Sequence, residues 1–95
     1  MMMKKRSGDL IISQILDICE SGVRKTKIVY QANLNSTSVN RYLECLIETG
    51  MIEQSSYGSS YLFKTTDKGT ELKNRLSRLQ TEMNELRTTM LNVPA

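Results

Sequence analysis

The last third of the chain carries a heptad repeat of large apolar residues, which constrains the fold more than any other feature. Polar residues fill almost all of the positions between them. The spacing alternates between four and three residues, as for the a and d positions of a coiled coil, and predicts one long helix with an apolar seam. Val93 continues the series formed by the six seam residues Leu72, Leu76, Leu79, Met83, Leu86 and Met90.

The predicted helix is too long to be covered by its own domain. Thr66 is a candidate N-cap, Asp67 places a negative charge in the first turn, and no proline interrupts the chain before Pro94. At about 1.5 Å per residue, a helix over residues 67–91 extends for almost 40 Å. We therefore expect the seam to pack against a second copy of the chain in a two-chain coiled coil. The alternative is that the helix folds back onto its own domain.

Three shorter helices are predicted before the heptad repeat, from apolar residues at helical spacing and from capping residues. The second and third helices are joined by a short turn, an arrangement typical of a helix-turn-helix. Their predicted bounds are residues 9–20, with Ser7 as cap and Gly22 as stop; residues 26–32, with Thr26 as cap; and residues 35–49, with Asn35 as cap and Gly50 as stop.

The pattern changes after Gly50 to two short segments rich in β-forming residues, 51–56 and 60–65. They predict an antiparallel hairpin whose loop of several residues includes Tyr57, Gly58 and Ser59. A hairpin directly after a helix-turn-helix is a wing. The predicted fold class is therefore mainly α, an α+β winged helix: a three-helix helix-turn-helix core with a β-hairpin wing and a long C-terminal coiled-coil helix.

These elements divide the chain into three parts. Residues 1–7 are expected to form a flexible basic arm containing Lys4, Lys5 and Arg6. Residues 8–68 are expected to form a winged helix-turn-helix DNA-binding domain, and residues 67–92 a C-terminal dimerisation helix.

The composition disfavours an enzyme. The 95 residues include no histidine, the commonest general base and a common metal ligand. No phosphate-binding glycine loop, carboxylate pair or nucleophile elbow is present. We predict no catalytic residue, metal, cofactor or small-molecule ligand. A secretion signal and an apolar run of about 20 residues are also missing, so we expect no membrane association and a cytoplasmic, nucleoid-associated location.

The positive charge is concentrated in the first half of the chain. The whole sequence has a formal net charge of +3. Residues 1–41 carry seven basic side chains against three acidic ones, whereas the remaining residues carry a slight acidic excess. This placement favours an anionic partner for the helix-turn-helix, and we predict that the partner is double-stranded DNA.

The third predicted helix has an outer polar face of the kind that enters a major groove. Asparagine and arginine side chains there can pair with adenine and guanine edges. Glu44 and Glu48 follow on the same face and would repel phosphate, so only the start of the helix is expected to approach DNA. Ordinary solvent exposure is the alternative explanation of this face. The predicted contacts from this helix are Ser36, Thr37, Ser38, Asn40 and Arg41.

Further DNA contacts are predicted on either side of this helix. Arg24, Lys25 and Lys27 lie at the entrance to the second helix, where basic side chains and free backbone N–H groups can both meet phosphate. In the wing, Tyr57 and Ser59 are expected to contact sugar or phosphate, although the wing tip carries no basic residue.

The remaining aromatic and thiol side chains are predicted to have packing roles. Tyr30 and Tyr42 lie beside the apolar faces of their helices, and Tyr61 lies in the hairpin. Cys19 and Cys45 lack a CxxC partner and are expected to be buried thiols. A disulfide or a thiol sensor stays open if the two cysteines are adjacent.

Several of these segments also carry a family resemblance. The stretches are KTKIVYQANLN at 25–35, Tyr42-Leu43 with Leu46, Gly50-Met51-Ile52, Tyr61-Leu62, and Thr66-Asp67-Lys68-Gly69. Together they resemble archaeal winged-helix DNA-binding proteins of the "ten-a" type, from the first helix to the start of the last.

The resemblance implies a small basic homodimer that is joined by a long antiparallel coiled coil and binds DNA as a chromosomal or regulatory protein. The seam's flanking charges alone allow either a parallel or an antiparallel pairing. Because the net charge is modest, we favour a regulator with few sites over an abundant chromatin protein. The rival hypothesis is a winged-helix protein-interaction module that never binds DNA, and Glu44 and Glu48 support it.

Overall fold

The computed structural model describes residues 8–91. The predicted arm at 1–7, the Ser7 cap and Val93 lie outside this range. The predicted fold class is confirmed, with a three-helix core, a two-stranded hairpin and a long last helix. The elements in chain order are α1 (Gly8–Ile18) followed by a 3-10 turn (Cys19–Ser21), α2 (Lys25–Ala32), α3 (Ser36–Glu48), β1 (Ile52–Tyr57), β2 (Ser60–Thr65) and α4 (Asp67–Leu91).

The hydrophobic core lies where the first three helices meet the base of the hairpin. Each of the three helices turns one apolar stripe inward, as its sequence period requires. Full burial of one such aliphatic side chain contributes about 1.5–3 kcal/mol to folding. The largest fully buried aliphatic side chains are Ile15, Leu16, Ile28, Val39 and Ile52.

The cap of α3 is confirmed, and that of α2 is wrong. The Asn35 side-chain oxygen accepts a hydrogen bond from the Ser38 backbone N–H at 2.8 Å, which fixes the start of α3. Helix α2 begins at Lys25, with Arg24 at the N-cap and no side-chain capping bond. Thr26 lies inside the first turn because the Arg24 carbonyl already accepts the N–H of Lys27 at 3.1 Å.

Gly50 ends α3 as predicted. Its φ of +80° is in the left-handed region that favours glycine. The Gly50 N–H donates to the Ile47 carbonyl at 3.1 Å, and the Met51 N–H donates to the Leu46 carbonyl at 2.8 Å. This pair of bonds is a Schellman motif, which satisfies the last carbonyls of the helix and redirects the chain into β1.

The hairpin turn is tighter than predicted. The strands pair in register from Ile52 opposite Thr65 to Tyr57 opposite Ser60, so only Gly58 and Ser59 form the turn. Gly58 has a φ of +62° at the first central position, where two-residue turns of type II′ require glycine. The predicted loop of several residues is therefore wrong, because Tyr57 is paired as the last residue of β1.

The base of the wing is bound to the core through its backbone and one side chain. Val23 and Phe63 exchange two backbone hydrogen bonds at 3.0 and 2.8 Å. The buried Thr65 hydroxyl donates to the Leu16 carbonyl at 2.6 Å. These bonds fix the position of β2 relative to α1 and α2.

The start of α4 is tied closely to the end of α3. The Thr66 hydroxyl oxygen accepts the Gly69 N–H at 3.1 Å, which confirms Thr66 as the cap. The same hydroxyl donates to the Gly50 carbonyl at 2.6 Å. A β-carbon at Gly69 would lie 2.1 Å from the Met51 carbonyl oxygen, so only glycine permits this approach.

Helix α4 is packed at its start and exposed beyond it. Leu72, which we predicted as a seam residue of the dimer, is partly buried against the core of its own chain, and Leu76 is also partly buried. The Lys73 ammonium lies 3.3 Å from an Asp17 carboxylate oxygen and 2.6 Å from one of Glu20. The four later seam residues are exposed, at 55% for Leu79, 50% for Met83, 55% for Leu86 and 67% for Met90.

Candidate nucleic-acid interface

The outer surface of α3 presents polar side chains around the first two turns of the helix. Val39, Leu43 and Leu46 bury the opposite stripe. Because the two stripes are opposed, packing leaves the predicted contacts Ser36, Thr37, Asn40 and Arg41 exposed, together with Glu44 and Glu48. Ser38 is the exception. It is partly buried and lies in a groove between α1 and α3.

Asn40 and Arg41 lie toward different sides of α3. Asn40 lines a cleft of about 540 Å³ between the start of α2, the outer surface of α3 and the hairpin. Arg41 lines the groove on the α1 side, together with Ile12 and Tyr42. Successive residues of a helix are separated by about 100° of rotation, which accounts for this division.

The cleft brings together residues from α2, α3 and both strands of the hairpin. Two basic residues from the start of α2, Arg24 and Lys25, share it with Asn40 of α3 and with Ser60 and Tyr61 of β2. Glu44 also lines it, on the turn of α3 that follows Asn40, and Leu43, Ile47 and Phe63 supply apolar surface.

Two contacts join the predicted site residues to one another. The Lys25 ammonium donates to the Asn40 side-chain oxygen at 3.0 Å. The Arg24 guanidinium lies 5.9 Å from the centre of the Tyr57 ring, within the range of a cation–π interaction. The first contact connects α2 to α3, and the second connects α2 to the wing. The remaining predicted residues, Lys27 on α2 and Ser59 in the turn, are exposed.

Tyrosine packing was predicted correctly at only one of three positions. Tyr42 is partly buried against the core, as expected. Tyr30 is 84% exposed, because it lies opposite Ile28 and Ala32 on α2, and the prediction for it is wrong. Tyr61 is 54% exposed, so its prediction is also wrong. It shares the inner face of β2 with Phe63, which the alternation along β2 could have shown, but it lies beyond the core and lines the cleft.

The two cysteines differ in environment. Cys19 is fully buried as predicted, and desolvation by burial raises the pKa of its thiol to about 12. Cys45 is exposed, so its predicted burial is wrong. It lies one residue before the buried Leu46, and the 100° between successive residues turns it away from the core. Both thiols are free.

Within residues 8–91, no three acidic or thiol side chains gather closely enough to hold a metal ion. Over the same residues, no helix combines the length and the apolar character needed to cross a bilayer.

Comparison with known proteins identifies the family. Residues 5–84 match the family model described as winged helix-turn-helix. The chain belongs to the winged helix-turn-helix family. The uncharacterized protein MJ0287 of Methanocaldococcus jannaschii is 35% identical over 81 residues, which cover 84% of this chain and 79% of that protein.

Solved structures share the winged-helix fold. The DNA-binding protein Sso10a-2 of Sulfolobus solfataricus matches with a TM-score of 0.82 at 21% identity, over 95% of this chain and 100% of that one. The PcaV transcriptional regulator of Streptomyces coelicolor matches with a TM-score of 0.72 at 16% identity, over 100% of this chain and 68% of that one. The predicted winged helix-turn-helix family is thus confirmed, and the resemblance to the "ten-a" type is confirmed in fold.

Proposed function

We propose that this winged helix binds double-stranded DNA as a homodimer and acts in transcription regulation or chromosome architecture. The main support is the exposed start of α3, which stands between the basic start of α2 and the wing. The names of two structural neighbours agree with it, since Sso10a-2 is a DNA-binding protein and PcaV a transcriptional regulator.

In this proposal the start of α3 enters the major groove. Ser36, Thr37, Asn40 and Arg41 then face base edges or the nearest phosphates. Glu44, one turn beyond Asn40, limits how far the helix can follow the groove, because its carboxylate repels phosphate. Binding is therefore confined to the first turns of α3.

The start of α2 and the wing contact the DNA backbone on either side of α3. Arg24, Lys25 and Lys27 neutralise phosphates, and the first backbone N–H groups of α2 point in the same direction. Tyr57 and Ser59 contact sugar or phosphate from the wing. Because Arg24 lies over the Tyr57 ring, the wing and α2 approach the backbone as one unit.

The exposed seam of α4 is the proposed dimer contact. Leu79, Met83, Leu86 and Met90 continue the heptad repeat beyond the end of the packed segment, and each is at least half exposed. A second copy of the chain would bury these side chains, and each Å² of apolar surface buried stabilises the dimer by about 25 cal/mol. We propose an antiparallel pairing, which the family resemblance implies, and a location in the cytoplasm on chromosomal DNA.

A mobility-shift assay at two salt concentrations tests the proposed surface. Wild type is expected to bind duplex DNA and to bind more weakly at the higher salt, because phosphate neutralisation releases counterions. The double variant Lys27→Ala, Arg41→Ala should bind much more weakly at both. The matched control Arg75→Ala, Arg78→Ala removes the same charge from α4 and should bind like wild type. Equal binding by wild type and the Lys27, Arg41 double variant would show that the surface is wrongly assigned.

A protein-interaction module is the second candidate. The observation in its favour is that Glu44 and Glu48 are both exposed on α3, where a DNA-binding helix would gain from neutral or basic residues. This candidate predicts no mobility shift of duplex DNA by wild type even at the lower salt.

A further inference from the structure

The Lys25–Asn40 hydrogen bond lies at the centre of the proposed DNA-binding surface. We propose that Lys25 determines base specificity by restricting which base edge Asn40 can recognise, an inference that rests on the proposed function. With its oxygen beside the Lys25 ammonium, Asn40 presents its amide N–H donors to DNA in preference to its oxygen. It therefore selects a base edge made of acceptors, as in guanine, over the mixed edge of adenine.

The chemistry of the two side chains fixes which atom of Asn40 faces Lys25. An ammonium group has three donors and no acceptor, so its partner at 3.0 Å must be the Asn40 oxygen and not the amide nitrogen. The orientation of the carboxamide is thereby set, and its NH₂ group is directed away from Lys25.

A free asparagine prefers adenine because it forms two hydrogen bonds with that base. Its oxygen accepts from the adenine N6 amino group while its nitrogen donates to N7. Here the oxygen has an ammonium group beside it, and the positive charge opposes the approach of the partly positive N6 amino group. The pairing with adenine is weakened even though the oxygen keeps a second lone pair.

The same arrangement favours guanine. Its major-groove edge presents O6 and N7, both acceptors. With its oxygen beside the Lys25 ammonium, the Asn40 amide offers its N–H donors to this edge. The pair is positioned from two helices: Lys25 is the first residue of α2 and partly buried, and Asn40 lies on the exposed surface of α3.

Selection from a randomised duplex pool, followed by competition binding of the selected sites, tests this proposal. Wild type should prefer guanine to adenine at one position of each half-site. Lys25→Met, which keeps most of the side-chain length without the charge, should shift the guanine-to-adenine affinity ratio toward adenine by about five-fold or more, the lower end of the value of a bidentate contact. Lys25→Arg retains donors and should keep the preference for guanine.

A second variant assigns the effect to Asn40. In an Asn40→Ala background, Lys25→Met should leave the guanine-to-adenine ratio unchanged. All variants should melt within a few degrees of wild type, since the substituted groups contact one another at the surface.

The outcomes separate this proposal from the proposed function. If Lys25→Met binds all duplexes more weakly and keeps the wild-type base preference, Lys25 is a phosphate contact only and the specificity proposal is overturned. An unchanged ratio with unchanged affinity also overturns it. In either case the proposed DNA binding stands. A wild-type protein that binds no duplex overturns both.

Discussion

The two halves of α4 carry the same heptad repeat but have different surroundings. The first half, residues 67–76, packs on its own domain through Gly69, Leu72 and Lys73. The second half, residues 77–91, leaves its seam exposed. A heptad repeat thus indicates that a helix needs a partner surface without telling whether that surface belongs to the same chain. We expected α4 either to fold back onto its own domain or to pack against a second copy of the chain. The first expectation describes the first half, and the proposed dimer concerns the second half.

The largest effect is expected from Gly69→Ala, in the packed half. The new β-carbon would meet the Met51 carbonyl oxygen at 2.1 Å and the Thr65 methyl group at 2.8 Å, so the backbone must shift. We expect the free energy of unfolding to fall by about 3 kcal/mol or more, measured by urea denaturation.

Gly58→Ala is the control for this glycine. Gly58 has a positive φ but open space where a β-carbon would lie, so Gly58→Ala should lower the free energy of unfolding by only about 1 kcal/mol. Equal losses in the two variants would mean that the close approach at Gly69 does not hold α4 in place.

Met83→Glu tests the exposed half. In the proposed dimer it places two unpaired carboxylates in the seam, which cost about 1–3 kcal/mol each, so the dimer dissociation constant should rise at least about 30-fold. Sedimentation across a range of protein concentrations measures the change. Thr81→Glu adds the same charge on the opposite side of α4 and should sediment like wild type, whereas a monomeric wild type would refute the dimer.

Leu72→Ala distinguishes the two halves by the kind of effect. Leu72 packs on the core of its own chain, so its truncation should lower the free energy of unfolding by about 2 kcal/mol at every protein concentration. Leu91→Ala, at a side chain that is 83% exposed, is the control and should have almost no effect. A loss of stability only in Leu91→Ala, or an equal loss in Leu72→Ala and Leu91→Ala, would contradict the proposed boundary between the halves.

The smallest effect is expected from Lys73→Met. Hydrogen bonds to Glu20 and Asp17 raise the Lys73 pKa in the folded protein, with burial opposing them. Since the folded pKa exceeds the unfolded one, the stabilisation is complete below the unfolded pKa and disappears as the pH rises through the folded pKa. Because both carboxylates are well exposed, the difference between wild type and variant should be only about 0.5–1 kcal/mol at neutral pH. A difference that persisted in strong alkali would contradict this assignment.

Local signals predicted the elements of the fold well. Asn35 and Thr66 cap helices because a side-chain oxygen reaches an N–H three residues ahead, and Gly50 ends α3 because it adopts a positive φ. Each of these helix boundaries depends on a few neighbouring residues, so it can be predicted from the sequence. Thr26 shows the limit of this reasoning, because a capping residue type also fits inside the first turn.

Features that depend on distant parts of the chain could not be predicted. Tyr61 lies on the inner face of β2, but where the core ends along that strand depends on the helices beneath it. The contact of Lys25 with Asn40 joins residues on different helices, and the partner of Leu72 depends on the angle at which α4 leaves the hairpin. Sequence patterns fixed none of these positions in space.

The most direct test of the account is the salt dependence of duplex DNA binding by the full chain, measured by fluorescence anisotropy for wild type and Lys27→Ala. We expect the logarithm of the wild-type binding constant to fall linearly with the logarithm of the salt concentration. Lys27→Ala should reduce the slope by about one for each chain bound, because one phosphate contact is lost. Absence of binding at low salt, or the same slope for both proteins, would contradict the proposed placement of α2 on the DNA backbone.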